Sequence, residues 1–382
     1  MKYIISLLLI PLFLITCTKP NKEINENCYR INLDTPQDQV SFFDIFEWIE
    51  VIPLEVTNHS LLYRIDKIDY YKGYFYILDK RSKTVFRFDK DGRYCDKLSR
   101  VGNGSGEYTD LSDFLINGYT NQIELLSSYG GIYIYDMDFK FVKQLKVSEA
   151  GLYTVHHFAV IDHDQRAFYS TYKPFRLKTY SAFQHKMLCE YYEKPIFWAR
   201  KSILNGPFQF DHENGITYFM QTYDYNLYEI TSDTFLVKHT WDFGKHNYSL
   251  SELPPDWSIE EYDFYFEELT KKKKVFYFLA NIENSSYAIA QFPYTHKDSL
   301  MNVVYEKKSH RYKKFQHFNE GFKFPFYPKF KNDSLIIISS LFLSLPYYLN
   351  DSIKELSSIK KIDLEDEDYC LLIYKIRNNI FD

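Results

Sequence analysis

Short runs of alternating apolar and polar residues, each closed by a turn, dominate the chain after about residue 36. Tyr74-Phe75-Tyr76-Ile77-Leu78-Asp79 is followed by Thr84-Val85-Phe86-Arg87-Phe88-Asp89, and an Asp91-Gly92 turn comes next. Asp-Gly beside such runs is a strong hairpin signal, because glycine accepts the left-handed backbone that tight turns need. The theme recurs at Gln122-Ile123-Glu124-Leu125-Leu126 with Ile132-Tyr133-Ile134-Tyr135-Asp136. It recurs again at Ile216-Thr217-Tyr218-Phe219-Met220 with Asn226-Leu227-Tyr228-Glu229-Ile230. Taking the first run of each pair as a marker, starts fall near Tyr74, Gln122, Arg166, Ile216, Ser286 and Ser334, at intervals of 48, 44, 50, 70 and 48 residues. Repeats of about 40 to 50 residues made of several short strands are the signature of β-propeller blades. Six markers predict an all-β fold over 36–382, a six-bladed β-propeller with one short helical insertion. The alternative is a β-sandwich with long loops, which needs only about 100 residues.

The one long interval has a local cause. Ser258-Ile259-Glu260-Glu261 fits a capping box, in which the serine hydroxyl and glutamate carboxylate satisfy free amides at a helix start. Ile259, Tyr262, Phe266 and Leu269 share one helical face, and Lys271 to Lys274 place cations at the negative pole of the dipole. One short helix is therefore expected between two strands of the fourth or fifth blade. Its apolar stripe either packs on the propeller or closes over a binding site as a lid.

The N-terminus breaks the pattern. Lys2 precedes an apolar run, Tyr3 to Thr16, too short for the roughly 20 residues of a membrane-spanning helix. A charged start, a short apolar run and a small-residue cleavage point spell an export signal. The ending Leu14-Ile15-Thr16-Cys17 resembles the lipobox of bacterial lipoproteins, in which the cysteine is diacylated and becomes the first mature residue. The expected organisation is a signal peptide over 1–16, a lipidated Cys17 with a flexible stalk over 17–35, and the propeller beyond. A plain secretory signal with an incidental cysteine is the alternative. The expected address is the cell envelope, lipid-anchored and at the outer membrane, on its periplasmic or surface face.

Composition supports a large packed core. The chain holds 36 Tyr and 33 Phe but only 13 Gly and 13 Pro, and flat aromatic side chains suit a half-buried pleated surface. The formal net charge is -5 with no basic field, which argues against nucleic acid as a partner. Membrane contact is expected through the lipid on Cys17. Cys28, Cys95, Cys189 and Cys370 lie far apart without Cys-x-x-Cys or zinc spacing. Three disulfide pairings are open to them; buried thiols are expected at Cys95, Cys189 and Cys370.

The stretch from Val51 to Tyr108 resembles the six-bladed β-propeller lipoproteins abundant in Bacteroides-type bacteria. The matching segments are Ile52-Pro53-Leu54-Glu55, Tyr76-Ile77-Leu78-Asp79, Phe88-Asp89-Lys90-Asp91-Gly92 and Arg100-Val101-Gly102-Asn103-Gly104-Ser105-Gly106-Glu107-Tyr108. Ser105 stands where that family has proline. Leu371-Leu372-Ile373-Tyr374-Lys375 resembles its last strand, with Asp368-Tyr369 in place of the family's Asn-Pro. The resemblance implies a fold related to NHL-type propellers and no common activity.

Candidate chemistry is sparse. Gly102-x-Gly104-x-Gly106 lacks dinucleotide spacing and a Gly-Lys-Ser/Thr end, so its glycines are read as allowing positive φ in a blade-to-blade crossing. Arg100 and Glu107 are expected to pair across that loop; the other reading makes Arg100, Glu107 and Tyr108 a ligand site near the channel mouth. His156-His157 with Asp162-His163-Asp164 is the only dense set of metal-type ligands, yet neighbours on a strand face opposite ways and Asp162 to Gln165 reads as a turn. Tyr191-Tyr192 and Trp198-Ala199-Arg200-Lys201 offer aromatics beside cations, with Trp198 and Arg200 as binding candidates for a sugar or peptide, or else packed on a blade edge. Hydrolase motifs are missing, and no cofactor or metal is expected. The sequence therefore points to a scaffold that binds an unknown protein, peptide or glycan. The alternatives are a propeller enzyme of lyase or glycosidase type with dispersed catalytic residues, and a structural subunit of an envelope complex.

Overall fold

The computed structural model describes residues 27–170, 175–193, 206–211, 214–221, 223–232, 234–248, 259–321, 328–332, 334–348 and 368–381. Two early strands, β1 (Cys28–Arg30) and β2 (Phe46–Pro53), flank a one-turn helix α1 (Phe42–Ile45). Four consecutive sheets follow. The first holds β3 (Lys67–Tyr71), β4 (Tyr74–Asp79), β5 (Thr84–Asp89) and β6 (Tyr94–Leu98). The second holds β7 (Asp113–Asn117), β8 (Gln122–Ser127), β9 (Gly131–Asp136) and β10 (Phe141–Leu145). The third holds β11 (Val155–Val160), β12 (Gln165–Ser170), β13 (Phe175–Ser181) and β14 (Lys186–Glu193). The fourth holds β15 (Phe208–Asp211), β16 (Ile216–Met220), β17 (Asn226–Ile230) and β18 (Phe235–Asp242), with β1 added at its edge.

Helix α2 (Ile259–Lys271) then leads to the fifth sheet, β19 (Ala280–Glu283), β20 (Tyr287–Tyr294), β21 (His296–Glu306) and β22 (Tyr312–Phe315). The sixth is made from both ends of the described chain: β23 (Phe330–Lys331), β24 (Leu335–Leu341), β25 (Tyr369–Ile376) and β2. Each sheet is one blade of a six-bladed propeller. All six sequence markers fall in the second strand of a blade or one residue before it, which is why their spacing reports the blade repeat.

Closure of the ring rests on an antiparallel ladder between β2 and β25, running from Phe46 opposite Ile376 to Pro53 opposite Cys370. Phe46, Ile49, Val51 and Ile52 are buried by it. At about 1.5–3 kcal/mol for each such side chain, this burial is comparable to the whole net stability of an ordinary domain. Between blades 2 and 3 the join is polar: Arg166 of β12 forks onto Glu124 of β8 at 2.6 and 2.8 Å, and Asn117 bonds the same carboxylate at 2.7 Å.

Three expectations need correction. The stalk does not extend to residue 35, because β1 pairs in parallel with β18 and Tyr29, Ile31 and Leu33 alternate into the core beside Trp241 and Tyr305. Helix α2 interrupts no blade; it links blades 4 and 5, where Leu269 packs with Tyr223, Tyr248 and Phe276. Its expected cap, Ser258, lies outside the described residues. Cys95 and Cys189 are exposed on the outer strands β6 and β14, where one face meets solvent, and only Cys370 is buried as expected. All four of these cysteines are free thiols. Among the described residues no helix is long and apolar enough to cross a membrane.

Because β25 pairs with both β24 and β2, deleting 369–382 should abolish the cooperative thermal transition of the whole domain. An unchanged melting temperature in circular dichroism would contradict closure by this ladder.

Candidate functional site

The loop between β6 and β7 is tied by its own side chains. The Glu107 carboxylate accepts the Gly104 amide at 2.8 Å, and its carboxyl lies so close to Gly102 that a Cβ there would collide with it. Tyr108 is fully buried, its hydroxyl on the carbonyl oxygens of Lys83 (2.9 Å) and Leu98 (3.3 Å). Burial pushes that phenol up to about 12. Arg100 is exposed and forms no ion pair with Glu107, so the expected pairing is absent. Positive φ occurs at Gly106 (72°), and there a Cβ would meet the Phe141 ring at 2.5 Å. At Gly102 and Gly104 the constraint is instead close approach of a carboxylate.

The histidine and aromatic candidates separate in space. Asp162 accepts the amides of Asp164 and Gln165, both at 2.7 Å, and Asp164 accepts the Ser181 hydroxyl at 2.6 Å. These carboxylates tie a turn. Among the described residues no three His, Cys, Asp or Glu side chains are grouped to hold a metal. Tyr191 stacks on Phe235 at 5.4 Å within the core between blades 3 and 4. Trp198 and Arg200 lie outside the described residues.

What the fold does assemble is a central channel. The first strand of every blade (β3, β7, β11, β15, β19 and β23) faces it, and these strands contact one another in turn around much of the ring. They enclose a cavity of about 110 Å³ whose lining draws on all six blades. Phe158, Phe208, Phe210 and Phe330 give it apolar wall, while Lys67, Asp69, Gln209, Asn281, Lys329 and Lys331 give it polar groups.

At one side Lys67 donates to Asp113 Oδ1 at 2.9 Å and to the Phe114 carbonyl at 2.6 Å. Asp113 Oδ2 lies 3.5 Å from His157 Nδ1, next to Gly206, which lines the cavity. Burial opposes ionisation of Asp113, but Lys67 and His157 outweigh it and hold the carboxyl well below the usual carboxylate range. Burial likewise lowers His157, against the pull of Asp113, which favours a neutral imidazole.

Across the channel the polar groups hang on the free inner edge of β19. Lys331 Nζ donates to the Asn281 carbonyl at 2.5 Å, and Gln209 Nε2 donates to the Glu283 carbonyl at 3.0 Å. Enclosure lowers Lys331 to about 7, with Glu283 opposing, and the surface this side chain does expose lines the cavity. Burial also lowers Lys329, whose Nζ is 3.4 Å from the Asp66 carbonyl. The Glu283 carboxylate itself is committed to Lys307 and to His239, 3.2 Å away.

Of these channel residues only His157 was singled out by sequence, as part of a candidate metal set rather than a channel site. The channel residues come from different blades and form no linear motif. A usable signal existed, since Lys67, Asp113, His157 and Gln209 each precede a blade marker by seven to nine residues.

A six-bladed ring with a polar, phenylalanine-walled channel defines the class: a β-propeller with a small internal cavity. The family model for a domain of unknown function, DUF4934, matches residues 28–375, and the chain belongs to that family. Its first matched residue is the first residue of β1. The chain is similar in fold to a crystal structure from Bacteroides fragilis titled "Putative exported protein", with 14% identity, 92% of this chain and 99% of that one covered, and a TM-score of 0.69. It is also similar to a DUF4221-family member from Bacteroides vulgatus, at 8% identity, 90% and 99% coverage and a TM-score of 0.54. No curated protein matches the chain.

Two measurements test this description. Gly106→Val forces a branched side chain into positive φ against Phe141 and should cost on the order of 1–3 kcal/mol or more in denaturant unfolding. Glu107→Gln keeps an acceptor for Gly104 and should cost less than about 1 kcal/mol; equal stability of both variants and parent would contradict the architectural role. Lys331 binds its proton more weakly folded (about 7) than unfolded (10.5), so it destabilises the fold most below about pH 7 and less as pH rises toward 10.5. Lys331→Met should therefore melt above wild type near about pH 6, with the gap closing near about pH 10. A gap independent of pH would refute the buried-ammonium assignment.

Proposed function

We propose that this protein is an exported, lipid-anchored envelope propeller that takes up a ligand in its central channel and serves as a binding module. The observation that carries the binding role is the cavity lined by all six blades, because small-molecule sites are concave, mostly apolar, and equipped with a few fixed polar groups. The export and anchor rest on the apolar leader ending at Leu14 to Cys17, with support from the exported description given to the Bacteroides fragilis relative. The lipid is the expected contact with the outer membrane. A protein, peptide or glycan is the expected partner class, engaged through a portion small enough for the channel.

One observation favours a second reading, an enzyme of lyase type. His157, held neutral by burial and lying 3.5 Å from Asp113, is a candidate general base beside the channel. Consumption of a bound ligand by wild type but not by His157→Gln would establish that reading over simple binding.

Intact mass of membrane-extracted protein should show a chain starting at Cys17 and carrying lipid; Cys17→Ala should leave the membrane fraction. A Cys17→Ala protein that stays with membrane would contradict the tether. For the channel, thermal-shift screening of sugars, acids, peptides and glycan fragments should find ligands that stabilise wild type. Met220→Trp, which fills the cavity from β16, should lose those shifts while keeping a cooperative melt. Shifts that survive Met220→Trp would move the site away from the channel.

A further inference from the structure

Three lysines line the channel cavity against one carboxylate residue, Asp69. Lys67 is neutralised by Asp113. Lys329 and Lys331 donate only to backbone carbonyls and form no ion pair among the described residues, with Asp66 and Glu283 attracting them only from a distance. Taking an ammonium out of water without an opposite charge is costly, and a site that does so is prepared for an anion.

A second, independent observation concerns Gln209. This side chain is 6% exposed and lines the same cavity, yet its Oε1 has no hydrogen-bond partner. Its Nε2 is held by the Glu283 carbonyl, so the amide cannot turn over to exchange the two ends without losing that bond. An unsatisfied buried acceptor calls for a donor, such as a hydroxyl.

Both side chains are anchored on one strand. Lys331 and Gln209 anchor on the carbonyls of Asn281 and Glu283, alternate residues of β19 that lie about 6.6 Å apart along the same edge. A carboxylate and a hydroxyl on opposite sides of a six-membered ring would serve both side chains at once. The phenylalanine walls suit the C–H faces of such a ring, and a cavity of about 110 Å³ suits a single ring.

We infer that the channel binds a monomeric sugar acid, its carboxylate on Lys331 and Lys329 and a hydroxyl on Gln209. This inference rests on the channel-binding reading above and adds the ligand class. It also explains why cations are tolerated in an enclosed channel: bound acid supplies the missing charge.

Calorimetric titration of the full-length protein in detergent, with glucuronate and galacturonate as probes, tests the assignment. At least one should bind ten-fold or more tighter than glucose. Lys331→Met should weaken it by ten-fold or more, as loss of a charge-assisted hydrogen bond implies. That variant is expected to fold at least as stably as wild type near neutral pH, so lost binding would not report unfolding. Gln209→Leu should weaken the sugar acid but leave cyclohexanecarboxylate, a ring acid without hydroxyls, unaffected. Glucose binding as well as the acids, or acid binding unchanged in Lys331→Met, would overturn the ligand class while the Met220→Trp screen still supports a channel site. Equal binding of inorganic phosphate, with no effect of Gln209→Leu, would reduce the site to a simple anion trap and overturn the hydroxyl contact.

Discussion

The pairing of β2 with β25 brings together residues more than three hundred positions apart, and the rest of the ring depends on it. An open propeller would expose two long sheet edges, whose free amides and carbonyls invite pairing with other chains. Closing the ring removes both edges at once. It also fixes β23 beside β3, which completes the wall of the channel. The same ladder that gives the fold its stability thus creates the internal cavity. Function, on this account, is a by-product of closure that individual side chains then refine.

The refinement is electrostatic. Around the ring most buried charges are answered inside the protein: Arg166 by Glu124, Lys67 by Asp113, and Glu283 by Lys307 and His239. Such pairs hold neighbouring strands and blades in register, and removing one member leaves a buried charge uncompensated. Lys314, Lys329 and Lys331 depart from this rule, each donating to backbone carbonyls without an ion pair among the described residues, and the latter two do so at the channel wall, on β23 and just before it. Local departures from internal consistency are where functional sites are expected.

Much of the fold was legible because its signals are local. Blade spacing followed from paired runs such as those at Tyr74 and Thr84. The helix was visible through Phe266 and Leu269. Other features were not legible, since they depend on contacts distant in sequence. Tyr29 and Ile31 sit in a polar stretch that reads as stalk, and only Trp241 and Tyr305 show why they are held. The strand around Cys95 looks buried from its aromatic neighbours, but its place at the blade rim decides otherwise. The glycine loop was read as structural, and within it the positive φ falls at Gly106 and the expected Arg100–Glu107 pair is not formed. The candidate site was hardest, because Lys67, His157, Gln209 and Lys331 converge only after the ring has closed.

The central claim is that closure builds a channel whose unpaired lysines and orphaned amide oxygen are completed by a ligand. The most direct measurement is a high-resolution crystal structure of protein purified from its native membrane. The account predicts a sealed six-bladed ring with a small molecule in the channel, an oxyanion on Lys331 and a donor on Gln209 Oε1. A channel filled by the protein's own side chains, or one in which a carboxylate of the chain reaches Lys331, would contradict it.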